Sequence, residues 1–134
     1  MTKERLRNYQ KIKKEREQIR HQLEEVEAAL FYPKVQHMTG MPANHTEGNP
    51  QEDLAIHHIE LQERYRAKLE ELAAEQLAIE TAIESLEPTQ RMLLRHRYID
   101  GLPWEEICVR MSYGWTQIHE HHGRALKQLR EKSE

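Results

Sequence analysis

The chain has 134 residues, 32% of them charged and 37% hydrophobic, with five glycines, five prolines and one cysteine. So charged a composition, with so few breaks, excludes a large globular core and favours long helices, and no apolar run approaches the roughly 20 residues that span a bilayer. The lone Cys108 excludes an internal disulfide, and the opening MTKERLRNYQKIKKER is too polar for a signal peptide, so the expectation is a soluble cytoplasmic protein without membrane association.

The net charge of −3 is unevenly spread. Residues 1–20 carry eight Lys/Arg and three Glu, a net +5, whereas residues 51–86 carry three Lys/Arg and nine Asp/Glu, a net −6. Residues 87–134 carry eight Lys/Arg and seven Asp/Glu, a net +1, with four histidines.

The first helix is expected over roughly residues 3–31, because Leu6, Tyr9, Ile12, Ile19, Leu23, Val26 and Leu30 recur at spacings of three and four, with Arg16 in the one gap. Pro33 ends it. Residues 33–50, with three prolines and two glycines, read as a loop. A second long helix is expected from near Gln51 to about Leu86, with Leu54, Leu61, Tyr65, Leu69, Leu72, Ile79, Ile83 and Leu86 on one stripe and polar Gln76 on the same face. Two narrow stripes joined by one loop predict an antiparallel hairpin with coiled-coil-like packing, the basic first helix beside the acidic second. Such a hairpin reads as a spacer or oligomerisation stalk, or as a groove for one partner such as polymerase.

Three short helices follow. Pro88 suits a first helical turn, where its missing N–H costs nothing. Met92, Leu93, Tyr98 and Ile99 are expected to bury one face, with Arg91, Arg95 and Arg97 on the others. Asp100-Gly101 is a stop signal. Pro103 opens a short helix that ends by Ser112, with Glu105 and Glu106 near its positive end, and a third helix is expected from about Trp115 to Glu131. Cys108, Ser112 and Ile118 occupy the small, turn and anchor places of a helix-turn-helix. On the third helix Ile118, Ala125 and Leu129 would face inward with His121 or His122. Trp115, Thr116, Gln117, His119 and Glu120 lie at the end that enters the major groove, and Glu120 would accept from cytosine N4. Arg124 and Lys127 would meet phosphates, as would Arg91, Arg95 and Arg97 in second place after a solvated surface role. Trp104 is expected to pack the short helix; Trp115 is either a turn anchor or a DNA contact.

Leu86-Glu87-Pro88 through Arg97-Tyr98, then Asp100-Gly101-Leu102-Pro103-Trp104-Glu105-Glu106-Ile107, resembles region 4 of sigma-70-type factors. The ending Gln117-Ile118-His119-Glu120-His121-His122-Gly123-Arg124-Ala125-Leu126, with the loop phrase Thr39-Gly40-Met41-Pro42, is similar to a family of small phage and prophage proteins of Gram-positive bacteria. Related regulators of the ArpU and RinA type activate late genes, and that is what the resemblance implies here. The expected fold is all-α: a hairpin over 1–86, with its loop at about 33–50, then a three-helix DNA-binding domain over 87–134. Expected partners are double-stranded DNA, RNA polymerase and a second copy of the chain. A small-terminase-like packaging subunit and a polymerase adaptor without DNA readout are the alternatives.

No catalysis, cofactor or metal is expected. The chain has no P-loop, no GxSxG and no paired acids in a credible cleft, and Cys108 has no evident base. The groups His57-His58 and His119/His121/His122 lack cysteine or carboxylate companions at metal-ligand spacing.

Overall fold

The structure, a computed structural model, describes residues 1–32 and 49–132. These residues are all-helical, with α1 at Lys3–Phe31, α2 at Pro50–Ile83, α3 at Pro88–Leu94, α4 at Trp104–Met111 and α5 at Trp115–Lys132. A π-helical turn, Arg95–Ile99, continues α3. The loop expected over 33–50, with Pro33 and Thr39–Pro42, lies outside the described residues except for Asn49 and Pro50. Asn49 Oδ1 accepts from the Gln51 N–H at 3.0 Å, which caps α2 ahead of a proline in its first turn. No described helix is long and apolar enough to cross a membrane.

The chain forms two compact units, Lys14–Glu70 and Met1–Lys13 with Glu71–Glu134. In the first, Ile19, Leu23 and Val26 of α1 pack with Leu61 of α2, flanked by Leu30, Leu54 and Tyr65. Lys68 pairs with Glu15 at 2.8 Å and His58 with Glu27 at 3.2 Å, so the two arms of this hairpin segment run antiparallel. Leu69, expected on the buried stripe, is 39% exposed. It lies roughly 80° around the helix from Leu61, at the edge of the buried face. Arg16, the polar gap in the α1 stripe, is half-buried and pairs with Glu17 at 3.0 Å.

The second unit joins the start of α1 and the end of α2 to the three short helices. Its larger core contains Leu6, Tyr9 and Ile12 of α1, Leu72, Ile79 and Ile83 of α2, Leu94, Tyr98 and Ile99, and Ala125 and Leu129 of α5. Gln76, the polar residue on the α2 stripe, accepts the Tyr9 hydroxyl at 3.2 Å, so the polar atom on a core face is satisfied. Arg5 bridges to Glu75 at 3.2 Å.

Pro88 occupies the first turn of α3, as its chemistry predicts. The inward line differs from expectation: Leu94 is fully buried, whereas Met92 is 48% exposed. The π-turn is the reason. A regular helix would align Ile99 with Met92, seven residues earlier. The Asp100 N–H instead reaches the Arg95 carbonyl five residues back, at 2.9 Å, and the wider turn brings Ile99 onto the line of Leu94.

The end of this turn is capped from α1. Gln10 Nε2 donates to the Tyr98 carbonyl and, at 3.1 Å, to that of Ile99, while Lys13 Nζ donates to the Ile99 carbonyl at 2.7 Å. These bonds satisfy carbonyls that a helix end leaves open. Gly101 then reverses the chain at φ +72°, and a Cβ there would stand 2.8 Å from Gln10 Oε1. Gly101→Ala is therefore expected to cost about 1–2 kcal/mol in urea unfolding, through left-handed strain and displacement of Gln10.

Candidate nucleic-acid interface

Pro103 is the N-cap of α4, and its carbonyl accepts from the Glu106 and Ile107 N–H groups at 3.1 Å each. Glu105 and Glu106 lie in its first turn, favourable to the dipole there. Its C-cap, Ser112, takes the left-handed conformation at φ 57° and ψ 40°. Serine thus accepts a geometry that glycine adopts more readily. Gly114 opens α5, its carbonyl accepting from the Ile118 N–H at 3.0 Å.

Leu93, Ile107 and Ile118 are fully buried and form the core of this helix pair, with Leu102, Trp104, Cys108, Met111 and Tyr113 around them. The small, turn and anchor positions therefore function as their spacing predicts: Cys108 at the core edge, Ser112 in the turn, Ile118 in the centre. Of the two histidines expected to face inward, His122 is buried and His121 is half-buried, its ring 5.0 Å from that of Tyr113.

Ile118, Ala125 and Leu129 face the protein, so the opposite side of α5 faces outward. Thr116, Glu120 and Lys127 follow one another there at helical spacing, all exposed. Gly123 belongs to the same line, and a Cβ added to it would meet nothing within 4 Å. Gln117 and Arg124, both exposed, flank this line on one side; Trp115 and His119 flank it on the other. The outward face thus gathers five of the seven expected reading and phosphate residues of α5, while Trp115 and the half-buried His119 stand at its edge. Gln117 also has a structural role, since its Oε1 accepts from the Gly114 N–H at 3.2 Å, as the third residue of a capping box does.

Trp115, 54% exposed, is held by a column of rings. The His119 ring sits 4.4 Å from that of Trp115 and 4.5 Å from that of Trp104, and His119 Nδ1–H donates to the Trp115 carbonyl at 2.9 Å. The Arg97 guanidinium lies 4.6 Å from the Trp104 ring and donates to the Leu102 carbonyl at 3.1 Å. Arg97 thus packs behind the ring column that holds Trp115. Below the column the Tyr98 hydroxyl and His122 Nε2 are 2.6 Å apart. Burial raises the Tyr98 pKa and lowers that of His122 to about 4, so both are neutral and the phenol donates to the imidazole.

Arg91 and Arg95 are engaged elsewhere. Arg95 makes hydrogen bonds of 2.7–3.0 Å with both carboxylate oxygens of Glu80, and Arg91 donates to the Leu86 carbonyl at 2.7 Å. Both line a shallow groove with Leu77, Glu80, Thr81 and Glu84, on other elements than the outward face of α5. Among the described residues there is no group of three His, Cys, Asp or Glu side chains able to hold a metal ion.

Residues 76–129 match the family described as Sigma-70, region 4. The match begins inside α2, in the turns that share a core with α3 and α5, and ends at Leu129, the last buried residue of α5. The C-terminal part of the chain is therefore a sigma-70 region 4-like domain, with α4 and α5 as its helix-turn-helix, and the likeness implies DNA binding in a transcription-related role. No curated protein and no solved structure matches the chain.

Proposed function

We propose that the protein is a phage-type transcription regulator that reads promoter DNA with α5 of its region-4-like domain. The observation that carries this reading is the outward face of α5, where Thr116, Gln117, Glu120, Arg124 and Lys127 are exposed on a helix fixed by a sigma-like frame. Trp115, exposed at the edge of that face, offers an apolar surface suited to thymine methyl groups. In this division residues 87–134 carry DNA contact, their core completed by the ends of α1 and α2. The rest of the hairpin serves self-association or polymerase contact; Ile56 and Ile59, one turn apart and 50% and 54% exposed, support an association surface there.

The test is selection of duplexes from a random pool, followed by gel shifts of the enriched sequence. Arg124→Ala is expected to weaken binding to all sequences and reduce the salt slope by about 0.9. Gln117→Ala is expected to relax preference at one base pair, a discrimination of about 1–3 kcal/mol. If the pool yields no bound duplex at low salt, with or without polymerase, the reading fails.

A further inference from the structure

We infer that the first turns of α1 form a second DNA-backbone surface, in which Lys3, Arg7 and Lys11 take phosphates beside the recognition helix. This rests on the proposed DNA-binding function and locates cations that the helix-turn-helix itself lacks, since residues 87–134 carry a net charge of only +1.

The placement follows from Leu6. This side chain is fully buried in the core that also holds Ala125 and Leu129 of α5. Lys3, Arg7 and Lys11 recur every four residues along one exposed ridge of α1, roughly 60–140° around the helix from Leu6. Arg5, about 100° from Leu6 in the opposite sense, faces α2 and pairs with Glu75. On the ridge side Gln10 is bonded to the carbonyls of the π-turn. The ridge therefore stands on the side of α1 away from α2, where the short helices begin. The electrostatics agree: the charges of Lys3 and Arg7 act on His122 of α5, and that of Arg7 acts on Tyr98.

The three ridge cations are also uncommitted. Among the described residues no carboxylate pairs with Lys3, Arg7 or Lys11, whereas nearby Arg5 and Lys13 both have partners. Helix stability does not account for them: Lys3 in the first turn opposes the helix dipole, and like charges four residues apart, as in Lys3, Arg7 and Lys11, repel one another. A row of exposed cations at one-turn spacing, on a helix that shares a core with α5, complements the regularly spaced negative charges of a duplex.

The experiment uses the full chain and a random-sequence duplex of about 30 base pairs, with binding followed by anisotropy across a salt series. The K3Q/R7Q/K11Q variant is expected to bind about tenfold more weakly at low salt, its log K against log salt slope reduced by about 0.9 for each phosphate no longer neutralised. Variant R20Q/R64Q/R66Q, which removes the same charge from exposed positions of the other unit, is expected to keep the wild-type slope. Equal weakening in both variants, or in neither, overturns the inference even where the wild type binds DNA. A wild type that binds no duplex at low salt removes the proposed function and this inference with it. Should the triple variant misfold by circular dichroism, K3Q and R7Q are read singly, each expected to lower the slope by about 0.9; an unchanged slope in both overturns the inference.

Discussion

Leu6→Ala is expected to destabilise the unit that carries the helix-turn-helix by about 2–5 kcal/mol, although residue 6 is remote from that motif in sequence. Leu6 is fully buried among residues of α2, the π-turn and α5. Truncation removes its transfer free energy and leaves a cavity between helices that cannot close it without disturbing the packing around it. For a domain stable by roughly 5–15 kcal/mol, that is a large share. The readout is unusually clean, because Trp104 and Trp115 are the two tryptophans of the chain and both belong to this unit. Their fluorescence in urea reports its unfolding, and the midpoint should fall well below that of the wild type. An unchanged midpoint would mean that the first turns of α1 are not part of the folded domain.

That dependence on α1 is the part least legible in the sequence. One apolar stripe runs from Leu6 to Leu30, yet its first three members serve one core and Ile19, Leu23 and Val26 another. Periodicity gives the inward face of a helix but not the identity of what covers it. The helix limits are legible, since Pro88, Gly101 and the Ser112–Gly114 turn are local signals that local geometry obeys. The π-turn is not, because widening by one residue follows from packing and from carbonyls that Gln10 and Lys13 of a distant segment cap. Met92, expected inward, is exposed, and Leu94 lies in the core with Ile99. In the site, the outward residues of α5 follow from helical spacing once Ile118 is fixed as the anchor. The bond from the Gly114 N–H to Gln117, the ring column behind Trp115 and the commitment of Arg95 to Glu80 depend on side-chain placement that no spacing rule encodes.

Acidification should weaken this domain through His122. Burial chiefly, then the charges of Lys3, His119, Arg97 and Arg7, lowers its pKa from 6.5 to about 4. The unfolded chain therefore takes up a proton near pH 6.5 that the folded one refuses until about pH 4. Between those values the unfolded state binds more protons, so stability is fully present above about pH 6.5 and declines as the pH falls towards 4. By about pH 5 the loss is on the order of 2 kcal/mol, at about 1.4 kcal/mol per pH unit below the unfolded value. Below about pH 4 this group adds nothing further. The Tyr98 hydroxyl donates to the neutral ring; once the ring is protonated it must turn and accept from the Nε2–H instead, so the cost is that of placing a charge in a buried site. His122→Gln keeps an acceptor for that hydroxyl and removes the titration. Urea midpoints by tryptophan fluorescence at about pH 7 and about pH 5 should therefore diverge in the wild type and converge in the variant. The difference between the two proteins cancels the other histidines, and parallel pH dependence in both would locate the acid sensitivity elsewhere.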